Sequence, residues 1–127
     1  MTAVRVEVVI DVSDADRAVA FWSVALGYEA HGRAGQYRSL VDPQGVGPKL
    51  VLQEVADVKA GKNRVHLDVH AADVAAEVDR LRALGAIRLD AEPLVEAGTS
   101  WVRMLDPDGN EFCVCQLQSA QYEDPAG

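Results

Sequence analysis

The sequence predicts an α+β fold built from two tandem βαβββ modules, and three observations predict it. Apolar residues alternate with polar or mixed ones at Val6, Val8 and Ile10, and the same alternation restarts in mid-chain at Val65, Leu67 and Val69, the period of a strand with one buried face. The interleaved residues are in step, because Glu7 to Asp14 and His66 to Asp73 are both intervals of seven. Later phrases match too: Leu26-Gly27 answers Leu84-Gly85, and Leu40-Val41-Asp42-Pro43-Gln44-Gly45 answers Met104-Leu105-Asp106-Pro107-Asp108-Gly109. Such internal similarity marks two copies of one unit. Module one is assigned to 4–54, a linker to 55–63, module two to 64–117 and a loosely held tail to 118–127.

In module one, residues 4–12 read as a strand whose buried face is Val4, Val6, Val8 and Ile10, which turns Glu7 to the other side. Ser13-Asp14-Ala15-Asp16 supplies a capping oxygen and first-turn carboxylates, the chemistry of a helix start. Ala18, Phe21, Trp22 and Ala25 follow at spacings of three and four and form the apolar stripe of that helix. Gly27 ends it by accepting a left-handed backbone. Three further strands are expected at 28–31, 36–42 and 48–54, the last two joined by the Pro43-Gln44-Gly45 turn. His31, near Gly32 and Gly35, reads as a loop-edge residue and is given no role.

Module two repeats the plan. A strand at 64–69 places Val65, Leu67 and Val69 in the core and His66, Asp68 and His70 on the opposite face. Asp73 caps a helix with the stripe Val74, Val78, Leu81 and Leu84, stopped by Gly85. A short strand at 86–89 matches 28–31; the stretch 90–100, with Pro93 and Gly98, reads as a loop long enough to rim a cavity or move as a lid. Strands at 101–105 and 111–116 complete the module around the Pro107-Asp108-Gly109-Asn110 turn. Trp101 then holds the place of Tyr37 in the first copy. Glu111, Cys113 and Cys115 share one strand face, and Phe112 and Val114 the other.

A chain of 127 residues with 49% hydrophobic residues can bury one compact core. Twelve basic residues against 20 acidic ones give a net charge of −8, which argues against nucleic-acid backbones and anionic membranes as partners. No stretch approaches a membrane span, and charges interrupt the apolar residues of the N-terminus, so neither an anchor nor a secretory leader is expected. Cys113 and Cys115 lie two apart on one strand, roughly 6.6 Å along the chain, where a bridge would be strained. Free thiols in a reducing cytoplasm are the simpler reading.

The phrases Phe21-Trp22 to Leu26-Gly27-Tyr28, Arg64-Val65-His66-Leu67-Asp68 and Asp106-Pro107-Asp108-Gly109-Asn110-Glu111-Phe112, set in paired modules, resemble the vicinal oxygen chelate superfamily of glyoxalases, bleomycin-resistance proteins and extradiol dioxygenases. The chain is most similar to its short glyoxalase-like members. The resemblance implies two curved mixed sheets around one cavity, with metal ligands drawn from the first and last strands of each module. Carried onto this chain, it implies Glu7, His66 and Glu111 as ligands. The fourth position falls at Pro48 or Lys49, and neither suits a ligand. Read from the residues alone, the same three stand out, since each interrupts an apolar strand on the face opposite the core. Two carboxylates and one imidazole suit zinc, nickel or manganese. They do not make the two-histidine, one-carboxylate set of non-haem iron oxygenases, which demotes dioxygenase chemistry.

Two functions of different class follow. The first is a metal-dependent lyase or isomerase acting on a small oxygenated metabolite, with Glu7 or Glu111 also available as a base. The second is a metal-free protein that binds or sequesters an aromatic drug or metabolite. Tyr37 and Trp101 would be its flat walls, and Arg103 and Cys113 line the ligand-facing surface in either case. A structural reading competes with both: Glu7 pairs with Arg103 or His66, and Glu111 bonds turn amides. Asp68 and His70 either orient His66 or are simply solvated. A homodimer through edge strands or helices is expected.

Overall fold

The computed structural model describes residues 7–61, 63, 65–96 and 99–116. Among the expectations above, those for Val4, Val6, Arg64, Gly98 and the tail lie outside these residues. The chain separates into two compact units, Met1–Gly61 with Pro107–Gly109, and Lys62–Asp106 with Asn110–Gly127.

The first unit carries β1 (Glu7–Val12), α1 (Ala15–Leu26), β2 (Glu29–Ala34), β3 (Tyr37–Val41) and β4 (Lys49–Glu54). Its sheet runs in the order β1-β4-β3-β2, parallel between β1 and β4 and antiparallel elsewhere. The first and last strands of the module therefore lie side by side. Asp14 is the N-cap of α1, its carboxylate accepting the Arg17 amide at 3.1 Å. Gly27, at φ +68°, lets the chain leave the helix while the Tyr28 amide returns to the Ser23 carbonyl at 2.9 Å. Ala18, Phe21, Trp22 and Ala25 are buried, as the stripe requires, and pack over Leu40, Leu50 and Leu52. Phe21 and Trp22 meet edge to face with centroids 5.0 Å apart. Burying a Trp or Leu of this kind contributes roughly 2–3 kcal/mol each.

The second unit carries β5 (Leu67–Ala71), α2 (Val74–Ala83), β6 (Ile87–Arg88), β7 (Leu94–Glu96), β8 (Thr99–Leu105) and β9 (Glu111–Gln116). Its sheet runs β5-β9-β8-β6, with β7 added beside β8. Again the first and last strands pair in parallel and the others antiparallel. Asp73 caps α2 by accepting the Ala76 amide at 3.0 Å. Val78 and Leu81 face Val102, Met104, Phe112 and Val114 in a core where each is at most 1% exposed.

Three expectations are corrected. β5 begins at Leu67 and runs to Ala71, so His66 precedes the strand, and Val65 is 76% exposed rather than in the core. Within the stretch read as a loop, Leu94–Glu96 pairs with Thr99–Trp101 as a hairpin extension of β8; a three-residue strand carries too little period to be read locally, and it exists because β8 offers it an edge. β2 extends to Ala34, three residues past the expected end, because its ladder with β3 continues through Gly32↔Ser39 to Ala34↔Tyr37 after a register shift.

Candidate functional site

In the first unit, the parallel ladder pairs Glu7 with Lys49, and Lys49 Nζ lies 3.4 Å from Glu7 Oε1. Of Pro48 and Lys49, the register sets Lys49 level with Glu7. Both side chains are about half exposed, 50% for Glu7 and 40% for Lys49, so the pair is water-screened and weak. They share the wall of a cleft of about 490 Å³ with Val41, Asp42, Gly45, Val46, Gly47 and Pro48.

That cleft's loop is organised by Asp42. Its carboxylate accepts the amides of Gly47 at 2.8 Å, Gln44 at 2.9 Å and Val46 at 3.2 Å. The Gly47 bond, and then the Gln44 bond, hold the carboxyl below its ordinary pKa. A Cβ on Gly47 would overlap the Tyr28 hydroxyl, so a larger residue there requires the Tyr28 side chain to shift. Tyr37, on β3, is 44% exposed; its hydroxyl accepts the Gln53 side-chain amide at 3.3 Å. The 107–109 turn is part of this unit, and Asp108 accepts the Ser13 amide, the Ser13 hydroxyl and Arg17 at 2.7–2.9 Å. Burial alone would raise the Asp108 carboxyl; the bonds from Ser13 and Arg17 outweigh it, and the net shift is downward.

In the second unit, alternation sends Phe112, Val114, Val102 and Met104 to the helix side and leaves Glu111, Cys113, Cys115, Trp101 and Arg103 on the open side. Asp68 and His70 join them, level with Cys113 and Cys115. The ladder begins at Leu67↔Phe112, with His66 one residue before it on β5's side and Glu111 one residue before it on β9. His66 Nε2 lies 3.2 Å from Asp68 Oδ1, and Glu111 Oε1 accepts the Asn63 amide at 3.2 Å. Trp101 pairs with Cys115 just as Tyr37 pairs with Gln53, which makes the two aromatics equivalent by register.

Arg103 is held by Asp90 through Nε at 3.0 Å and Nη2 at 2.7 Å, with the Arg103 amide adding a third bond to the same carboxylate at 2.9 Å. Arg103 holds the Asp90 carboxyl well below its usual range, and the Arg103 pKa rises in return. Desolvation first, then the negative charge of Asp68, pushes the Cys113 thiol up to about 11 and the Cys115 thiol to about 12. Both cysteines are free.

Of the expected site residues, Glu7 thus stands beside Lys49 and not alone, and His66 is joined to Asp68. Glu111, Arg103, Cys113 and Trp101 share one sheet face. Sequence reasoning missed Lys49, Asp42 and Gly47 beside Glu7 in the first unit and Asp90 beside Arg103 in the second; Lys49 is placed by the long-range β1–β4 register. Among the described residues no helix is long and apolar enough to cross a membrane.

The glyoxalase-like domain family matches residues 7–115. No curated protein matches the chain. Among solved structures, a glyoxalase/bleomycin resistance protein/dioxygenase family enzyme from Burkholderia phytofirmans is 19% identical with a TM-score of 0.73, covering 88% of this chain and 97% of that one. A protein of the same superfamily from Sphaerobacter thermophilus is 21% identical, with a TM-score of 0.69 over 91% and 98% of the two chains. A variant of the fosfomycin resistance protein FosX from Listeria monocytogenes, in complex with Mn(II) and dihydroxypropylphosphonic acid, is 18% identical with a TM-score of 0.71 over 90% of each chain. At these identities the likeness is one of fold.

Proposed function

The chain belongs to the glyoxalase-like domain family, and from that premise we propose that it is a metal-dependent lyase or isomerase acting on a small oxygenated metabolite. Glu7, His66 and Glu111 are the proposed ligands to a divalent ion, zinc, nickel or manganese. The observation that carries this reading is positional: Glu7 opens β1, Glu111 opens β9, and His66 stands one residue before β5, the strand that pairs with β9. Two carboxylates and an imidazole are a donor set these ions accept, with coordination positions left for substrate oxygens. When bound, the ion supplies Lewis acidity toward a carbonyl or enediolate oxygen.

The chain's own residues do the rest. Glu7 or Glu111 takes a proton as the base. Arg103, fixed in place by Asp90, offers a standing positive charge to a carboxylate or phosphonate. Lys49 exchanges Glu7 for an anionic oxygen of the substrate. Tyr37 and Trp101 bound the ligand with flat apolar surface. A FosX structure holding Mn(II) and a phosphonate diol is a fold relative with a ligand of the proposed chemistry.

A second reading, metal-free binding of an aromatic drug or metabolite, is favoured by one observation: Lys49, level with Glu7 in the β1–β4 register, already meets it at 3.4 Å. The free thiols support a reducing compartment, the cytoplasm. β2, an edge strand exposed along its whole length, is the surface proposed for a homodimer. The test is turnover of α-ketoaldehyde and thiol-adduct substrates by metal-loaded protein. Activity lost with a chelator, restored by manganese, and reduced at least ~100-fold in Glu111→Gln supports the enzyme. Binding of aromatic ligands with affinity indifferent to chelator, and no turnover, supports the second reading.

A further inference from the structure

We propose a second cation site on the open face of the second unit, formed by Asp68, His70 and Cys115, for a thiophilic divalent ion of the zinc or cadmium kind. It shares no member with Glu7, His66 and Glu111, and it does not depend on that ligand set.

The placement follows from the ladder. β5 and β9 pair in parallel with His70 level with Cys115 and Asp68 level with Cys113. Residues two apart on a strand share a face, so a carboxylate, an imidazole and a thiol from two adjacent strands converge. Their ligand atoms all lie within 4.8 Å of one another. A tetrahedral ion with bonds of about 2.0–2.3 Å holds its ligand atoms roughly 3.3–3.8 Å apart. The three groups therefore stand no more than about 1.5 Å from closure.

The side chains that must move are the exposed ones, Asp68 exchanging its His66 contact for the ion. Asp68 and His70 are exposed, and Cys115, partly buried between Val114 and Gln116, forms the fixed floor. The Gln116 side-chain amide donates to the Ala72 carbonyl at 3.0 Å, tying the ends of β5 and β9 together beside His70 and Cys115. One thiolate, one imidazole and one carboxylate make a softer donor set than two carboxylates and an imidazole, and they leave a fourth position for water. Binding replaces the S–H bond of Cys115 with a sulfur–metal bond and releases that proton to solvent. Asp68 is also within reach of His66 and Cys113, so the discriminating members are His70 and Cys115.

The experiment is titration of the full chain with cadmium, and separately with cobalt(II), kept reduced with a phosphine. The readout is the sulfur-to-metal charge-transfer absorption in the ultraviolet. The expected result is a one-to-one band that is lost in Cys115→Ser and in His70→Ala and retained in Cys113→Ser, Glu7→Gln and Glu111→Gln. His70 is exposed, so its variant keeps the fold if Cys115→Ser does not. No band in the wild type, a band that survives in His70→Ala, or one that disappears in Cys113→Ser instead would overturn the site. Manganese binding that depends on Glu7 and Glu111 without any thiolate band leaves the proposed function standing and removes this one. A thiolate band without manganese binding does the reverse.

Discussion

Asp42 and Asp106 occupy the same place in the repeat and organise the same kind of turn, yet substituting them will have unequal cost. Asp42 accepts three backbone amides at 2.8–3.2 Å. Asp106 accepts the Asn110 amide at 2.8 Å and the Asn110 side-chain amide at 3.3 Å. Burial separates the two, because Asp106 is only 1% exposed and Asn110 7%. Asp106→Ala strands a buried amide, at about 1–3 kcal/mol, and removes bonds to a charged acceptor, at about 1.5–3 kcal/mol; part of this is returned because a buried charge disappears. The net is about 3 kcal/mol. At this chain length one kcal/mol moves the melting temperature by roughly 3–5 °C, so the variant should melt about 10 °C lower. Asp106→Asn, which keeps an acceptor toward the Asn110 amide, should lose about half as much. In Asp42→Ala water reaches the freed amides, and the loss should be a small fraction of that in Asp106→Ala. Thermal and urea unfolding followed by circular dichroism measures all three. If Asp106→Ala costs under about 1 kcal/mol, or Asp42→Ala costs more than Asp106→Ala, burial is not what decides these turns.

Three further outcomes are expected. Lys49→Gln should tighten binding of divalent ions about tenfold by calorimetry, since a positive charge about 5 Å from a divalent ion opposes it by roughly 1.7 kcal/mol even at the dielectric constant of water; unchanged or weaker binding would separate Lys49 from any cation. Gly47→Ala should lower stability by about 1–3 kcal/mol through the Tyr28 hydroxyl, and Tyr28→Phe should recover most of that in a double-mutant cycle; additive losses would mean the two do not meet. The Asp90 carboxyl has a depressed pKa in the folded state, so its contribution is complete above the unfolded carboxylate pKa near 4 and is lost as pH falls through the lower folded value. Asp90→Asn should accordingly flatten the fall of stability below about pH 4, and an acid limb identical to wild type would contradict the Arg103 clamp.

What could be read in the sequence was whatever local chemistry encodes. Asp14 and Asp73 cap helices because a short acceptor before an apolar stripe satisfies orphan amides within three residues, and both helices begin where those caps place them. Strand β9 was legible because five alternating residues and a turn bound it. The start of β5 was not, because Val65 has the right residue type but no neighbouring strand to bury it. β7 exists through its pairing with β8, and Lys49 rather than Pro48 faces Glu7 through the β1–β4 register; neither is a property of a local window. The site shows the same division. Glu7, His66 and Glu111 could be named because each breaks an apolar alternation. Asp68 could be named beside His66, two residues along on one face; Lys49 and Asn63 could not, since they are selected by strand register and turn geometry. The clamp of Asp90 on Arg103 spans 13 residues, and the Ser13 bond to Asp108 spans 95, beyond any pattern in the chain.

The most direct test of the account is elemental analysis of untagged protein, followed by zinc, nickel and manganese titrations by calorimetry on the wild type, Glu7→Gln, His66→Ala and Glu111→Gln. The account predicts one manganese or nickel ion per chain at Glu7, His66 and Glu111, with binding weakened at least ~100-fold in each variant, and a second zinc ion that these variants retain at Asp68, His70 and Cys115. No copurified metal and no binding at micromolar ion would contradict it.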